Sequence, residues 1–200
     1  RWGLTCAFAD DCDPLAGPWP DLVICSGRAG GMAALHIQKQ AALSGKRTYT
    51  VYIQNPVISP SHFDVVAVPR HDRLEGDSVI TTRGSLHRVT GPLLDKEAQA
   101  FKGYYKDLPE KKLAVVIGGS NAVYQLTPDD MRRMARMLAS LAKEQNVGLM
   151  VTTSRRTGEE NLKILQEELQ TCPHNIWDGT GDNPYYGMLG LADSILVTMD

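Results

Sequence analysis

Short apolar runs bounded by glycine and proline alternate along this chain with segments in which apolar residues recur every three or four positions. The first pattern predicts strands and the second helices. "DLVICSG" (21–27) predicts a buried strand, and "MAALHIQKQAAL" predicts a helix over 32–43 with a glycine turn between them. "TYTVYIQNP" (48–56), "FDVVAVP" (63–69) and "SVITTRG" (78–84) predict three more strands. A polar, helix-compatible stretch, "LLDKEAQAFKGYYKDLPEKK", then separates these from a second sheet pattern, which divides the chain into domains 1–108 and 109–200.

The second part reads strand 113–117, helix 128–145, strand 147–153, helix 158–170, strand 175–177, helix 185–191 and strand 194–198. Regular alternation of this kind implies parallel sheets with right-handed crossovers, so the predicted class is α/β with two Rossmann-like domains. Thr127 caps the first of these helices, Pro128 takes its first position, and Asp129 and Asp130 complement its positive end. Met131, Met134, Ala135, Leu138, Leu141 and Ala142 form its apolar stripe, in which the methionines are core filler. Thr157 with Glu160 predicts a reciprocal cap for the next helix, whose buried face carries Leu162, Leu165 and Leu169.

Composition narrows the function classes. The 200 residues are 42% hydrophobic and 22% charged with a formal net charge of −2, which lacks the basic excess that binding nucleic acid requires. The apolar runs fall well short of the ~20 residues of a membrane-spanning helix. The chain starts at Arg1 without a signal-peptide pattern, as expected of a cropped piece. Cys6, Cys12, Cys25 and Cys172 form neither a CxxC pair nor a zinc spacing, so reduced thiols, no metal and a cytoplasmic setting are expected.

Ligands in parallel α/β sheets bind beyond the carboxyl ends of the strands. In the second part those ends carry "GGSN" (118–121), "TTSRRTG" (152–158) and "DGTGDNPYYG" (178–187). Gly118 and Gly119 permit close backbone approach, with Ser120 and Asn121 adding donors, although the loop also fits a plain strand-to-helix turn. Arg155 and Arg156 precede a helix start, where guanidinium and helix end together favour a diphosphate, and a solvated arginine pair is the other reading. "SGRAGG" (26–31) repeats the strand, glycine turn and helix form in the first part, yet Gly27, Gly30 and Gly31 miss the dinucleotide spacing. No Walker, GxSxG or HExxH pattern occurs. Among His62, His71 and His87, only His71, with Asp72 beside it at a strand end, is placed to act as a general base.

In order and spacing, "ICSGRAGG", "IQNP", "FDVVAVPRHD", "GSLHRVT", "VVIGGSN", "TTSRRTG" and "DNPYYGMLGLADSILVTMD" resemble the mitochondrial fission factor family, known for its plant elongated-mitochondria members. The match covers nearly the whole chain from Pro20, and the two halves look like the GT-B architecture of nucleotide-sugar glycosyltransferases. By resemblance, a nucleotide-diphosphate sugar is a donor substrate rather than a cofactor. Gly118, Gly119, Ser120, Asn121, Ser154, Arg155, Arg156, Asn183 and Tyr185 are then the donor-side candidates. Gly27, Arg28, Gly30, Gly31, Gln54 and Asn55 lie on the acceptor side, with His71 and Asp72 as the catalytic pair. An epimerase of the YxxxK type finds no support, since no such pair follows.

The family's members carry a further strand before the equivalent of Trp2 and continue past "VTMD", so the resemblance implies truncation at both ends. It also implies a fission role at a membrane surface beside dynamin-like partners. Two functions therefore stand at this point. One is a metal-independent glycosyl transferase; the other is a non-catalytic interaction protein, whose apolar patch is sought in "WGLTCAFADDCDPLAGPWP" near Trp2, Phe8 and Trp19, a stretch that also fits a tether packed on the sheet.

Overall fold

A computed structural model of the chain describes residues 15–198. Trp2, Cys6, Phe8, Cys12 and Asp200 lie outside the described residues. The chain divides into two compact units, one ending at Arg88 and one beginning at Val89. The division thus falls some twenty residues before the boundary expected at 108/109.

In the first unit the strands are β1 (Leu22–Ser26), β2 (Tyr49–Ile53), β3 (Val65–Pro69) and β4 (Val79–Thr82), all parallel and in that spatial order. Helix α1 (Gly27–Leu43) follows β1 directly. It begins five residues before the predicted start, because Gly27 at φ 71° makes the strand-to-helix corner alone and Gly30 and Gly31 already belong to the helix. Gly31 is there for contact: a Cβ would stand 2.8 Å from Tyr52 Cε2. Tyr52, Phe63, Val66, Val68 and Ala34 are buried together beneath α1. Trp19 belongs to a tether, its carbonyl accepting from Lys46 Nζ at 2.6 Å and its ring set edge-on to His36.

Asp64 fastens β2 to the start of β3. Its Oδ2 accepts from the Thr50 N–H at 2.8 Å and the Thr50 hydroxyl at 3.0 Å, and its Oδ1 from Arg47 at 2.9 Å. Burial alone would raise its pKa, but the Thr50 N–H, the Arg47 guanidinium and the Thr50 hydroxyl outweigh that and hold it below the ordinary 3.8. A carboxylate with a depressed folded-state pKa stabilises the fold above its unfolded value and loses that contribution as pH falls through the folded value. Urea midpoints of the wild type and Asp64→Asn should therefore differ at neutral pH and converge below about pH 4. A constant gap down to pH 2 would refute the assignment.

The second unit contains β5 (Lys112–Ile117), β6 (Gly148–Thr153), β7 (His174–Ile176) and β8 (Ser194–Val197), parallel and in the order β7-β6-β5-β8. Its helices are α2 (Gly91–Phe101), α3 (Pro128–Gln145), α4 (Glu159–Leu169) and α5 (Tyr185–Leu191). Each element from β5 onward lies within two residues of its predicted bounds. Met131, Ala135, Leu138 and Ala142 of α3 and Ile164, Leu165 and Leu169 of α4 cover one side of the sheet, packing on Leu113, Val115, Leu149 and Val151. Tyr105, Ala114, Met150 and Met188 form a second cluster, with Phe101 against it.

Helix α2 joins this unit because α5 presents glycines to it. A Cβ on Gly187 would stand 2.7 Å from Phe101 Cβ, and one on Gly190 would stand 2.5 Å from the Leu94 carbonyl oxygen. Cys25 and Cys172 are free thiols. Among the described residues no helix is long and apolar enough to cross a membrane, and no three histidine, cysteine or acidic side chains converge as a metal site would need.

Candidate functional site

Strand order places a site in the second unit. From β5 the chain steps to β6 and β7 on one side, then returns to β8 on the other side of β5. At such a switch point the connections leave in opposite directions, and a crevice opens beyond the carboxyl ends of the two central strands. A pocket of about 230 Å³ lies there. Gly118 beyond β5, Ser154 beyond β6, Thr198 beyond β8 and Tyr185 at the start of α5 line it.

Hydrogen bonds fix its rim. The Gly118 N–H donates to Thr198 Oγ1 at 2.8 Å, which sets that hydroxyl at the rim of the pocket. The Thr157 hydroxyl donates to the Gly118 carbonyl at 2.6 Å and accepts from the Ser154 N–H at 3.1 Å, so one buried side chain ties the β5 loop to the β6 loop. Thr157 therefore closes a 3-10 turn, Arg155–Thr157, with Ser154 as its reciprocal partner. The cap expected between Thr157 and Glu160 does not form. Its hydroxyl is already committed, and Gly158 begins α4 without a side-chain cap.

"GGSN" spends most of its polar groups internally. Gly119 is buried, and a Cβ there would overlap the Arg156 carbonyl. The Ser120 N–H donates to that same carbonyl at 3.3 Å, and its hydroxyl accepts from the Leu126 N–H at 3.0 Å. Asn121 Oδ1 accepts from the N–H groups of Val123 and Tyr124, both at 2.8 Å. Of the nine donor-side candidates, Gly118, Ser154 and Tyr185 line the pocket. Gly119, Ser120 and Asn121 shape the loop behind it, and Asn183 accepts from the Tyr185 N–H at 3.0 Å, which orients the start of α5.

Arg155 and Arg156 are exposed on the turn that follows Ser154. The helix beyond them is a poorer anion site than its sequence implied, because Glu159 and Glu160 occupy its first turn and already complement the helix end. The first turn of α3 likewise carries Asp129 and Asp130, with the Thr127 side chain accepting from the Asp130 N–H at 3.2 Å. Periodicity gave no sign of two structural polar residues here, Thr198 and Asn161. Buried Asn161 donates to the Leu126 and Thr157 carbonyls, both at 3.0 Å, and so joins the entry of α4 to the loop before α3.

The first unit gathers its own set. Arg28 and Gly31 of α1 line an apolar cavity of about 410 Å³. Gln54 and Asn55 lie on the loop that follows β2, where the Gln54 N–H donates to the Ala67 carbonyl at 2.9 Å and Asn55 Oδ1 accepts from the Val57 N–H at 3.0 Å. Gly27 makes the helix corner, and Gly30 rests in ordinary contact with Cys25. His71 and Asp72 form a 3-10 turn with Arg70 just past β3. His71 Nε2 stands 3.6 Å from Asp72 Oδ1, beyond hydrogen-bond range, and its side chain is 72% exposed.

Comparison with known proteins adds ancestry to this geometry. The family model described as Mitochondrial fission ELM1 matches residues 4–200. The mitochondrial fission protein ELM1 of Arabidopsis thaliana is 27% identical over 205 residues, taking in 90% of this chain and 47% of that protein. Among solved structures, the UDP-GlcNAc 2-epimerase of Methanocaldococcus jannaschii superposes with a TM-score of 0.55 at 11% identity, covering 89% of this chain and 56% of that one. The enzyme of Neisseria meningitidis, solved bound to UDP-GlcNAc, gives 0.53 at 12% identity, with 89% and 54% covered. The chain thus spans under half the length of the plant protein and little more than half of either structure. The fold is α/β with two parallel sheets of the GT-B-like kind.

Proposed function

The chain belongs to the mitochondrial fission ELM1 family, and from that premise and the geometry of its second sheet we propose a glycosyltransferase-like protein that binds a nucleotide-diphosphate sugar at the β5/β8 switch point. The observation that carries this reading is the pocket lined by Gly118, Ser154, Tyr185 and Thr198 beyond three adjacent strand ends. Hydroxyl groups and a glycine backbone suit the phosphate and ribose oxygens of such a ligand, and the Tyr185 ring suits its base or sugar face. The Neisseria structure, described as bound to UDP-GlcNAc, supports a donor of this class on this fold.

In the proposed reaction the bond between the sugar's anomeric carbon and the diphosphate breaks, its electron pair leaving on the diphosphate oxygen. An acceptor hydroxyl oxygen bonds to that carbon, and its proton passes to a general base, the role the sequence reading gives to His71 or Asp72. Arg155 and Arg156 offset the charge that gathers on the leaving diphosphate, and the reaction as proposed calls on no metal. The fission named for the family supports, as part of the same proposal, a cytoplasmic setting at a membrane surface.

Calorimetric titration with uridine, guanosine, thymidine and cytidine diphosphates tests the donor site. One of the four should bind. Tyr185→Ala should weaken it about tenfold, and Arg155→Ala/Arg156→Ala by about tenfold to a hundredfold, the worth of one charge-assisted hydrogen bond. No heat with any of the four, from protein shown to be folded, would overturn the reading and favour a non-catalytic interaction protein.

A further inference from the structure

The first unit encloses an apolar cavity that the donor site does not use. Strands β2 and β3 are joined by residues 54–64, and that crossover carries only the 3-10 turn Pro60–His62 where parallel strands ordinarily have a covering helix. In place of helix packing, the Tyr52 and Phe63 rings, with centroids 4.9 Å apart, join Met32 of α1 and Pro56 of the crossover around a space of about 410 Å³. That size falls within the range of small-molecule sites.

Polarity is divided across it. Among the described residues of its lining the one that is charged is Arg28, in the first turn of a 17-residue helix that carries no acid there. Arg28 is exposed at the edge of the cavity, and its charge acts to lower the Tyr52 phenol pKa, although burial first and Cys25 second hold that group above its ordinary value. At the lip, Val57 is 72% exposed and Ile58 41%. Val57 holds φ 63°, a conformation that strains a β-branched residue, so the backbone is distorted where it presents an apolar side chain to solvent beside an apolar space.

We propose that this cavity binds a single-chain amphiphile with an anionic head group, the chain lying among Tyr52, Phe63 and Met32 and the head at the Arg28 guanidinium. The single cation beside an otherwise apolar lining matches that division of charge and chain. This binding does not rest on the donor-site reading above.

Geranyl phosphate is the probe, titrated calorimetrically into the full chain without nucleotide, so that failure of the donor site leaves the result standing. Saturable binding at one site is expected, with geraniol at least tenfold weaker for want of the charge-assisted contact and inorganic phosphate giving no measurable heat. Arg28→Ala should weaken geranyl phosphate about tenfold. Val57→Asp should weaken it at least as much. Aspartate tolerates the left-handed backbone better than valine, so that variant keeps its fold while placing a repelling charge at the lip. Equal affinity in the wild type and both folded variants would overturn the proposal. So would binding to anionic phospholipid vesicles with no saturable binding of geranyl phosphate, which would make the patch a membrane contact.

Discussion

Replacing Gly119 by alanine should cost the second unit about 3 kcal/mol or more, the upper end of what overpacking usually costs. The new Cβ would overlap the Arg156 carbonyl and press on the Thr157 N–H 2.5 Å away. Both are backbone atoms of the 3-10 turn, which cannot swing aside as a flexible side chain would. The Ser120 N–H already donates to that Arg156 carbonyl, and the Thr157 hydroxyl donates to the Gly118 carbonyl, so the turn and the loop would have to part together. Gly103→Ala is the matched control. A Cβ there meets nothing within 4 Å, and its stability should stay within about 1 kcal/mol of wild type. Thermal unfolding of both variants decides the matter, and equal midpoints would refute the packing assigned to Gly119.

The same contact shows what the sequence reveals about "GGSN" and what it conceals. Two glycines after an apolar run mark close backbone approach, and that much is correct. What approaches is not legible. Period and spacing describe neighbours along the chain, whereas Gly119 meets Arg156, a residue 37 positions away that is brought over by the pairing of β5 with β6. The elements themselves were readable from β5 onward because each apolar stripe is bounded by a cap, a proline or a glycine that acts locally.

Failures occurred where a local signal had a distant use. Thr157 has the right spacing to Glu160 for a cap, but its hydroxyl serves the Gly118 carbonyl at 2.6 Å instead. The stretch after Pro92 looked like a linker because it is polar on average. Leu94, Ala98, Phe101 and Tyr105 nevertheless recur at helical spacing, and Phe101 and Tyr105 pack in the second unit's apolar cluster. That stripe was the available sign that α2 docks. The pocket was half legible: its three loops lie at strand ends as expected, but Thr198 enters through strand order, which no periodicity records.

Thr157→Val provides the sharper test of whether the turn serves the pocket or only the fold. Valine keeps the volume and loses the hydroxyl, so the half-buried Gly118 carbonyl loses its donor, while the Ser154 N–H keeps its 3.0 Å bond to Ile117. The expected loss is about 0.5 to 1.5 kcal/mol, the net worth of one hydrogen bond at a half-buried group. Thr157→Ser retains the hydroxyl and should recover most of it. Both lining residues tied by Thr157, Gly118 and Ser154, depend on that bond for their spacing. Thr157→Val should therefore also weaken the nucleoside diphosphate, about tenfold, at a temperature where the variant is fully folded. Unchanged affinity with lowered stability would confine Thr157 to the fold. If affinity and stability fall together and serine restores both, the turn that makes the β5 loop rigid is the same one that holds the rim of the pocket in place for its ligand.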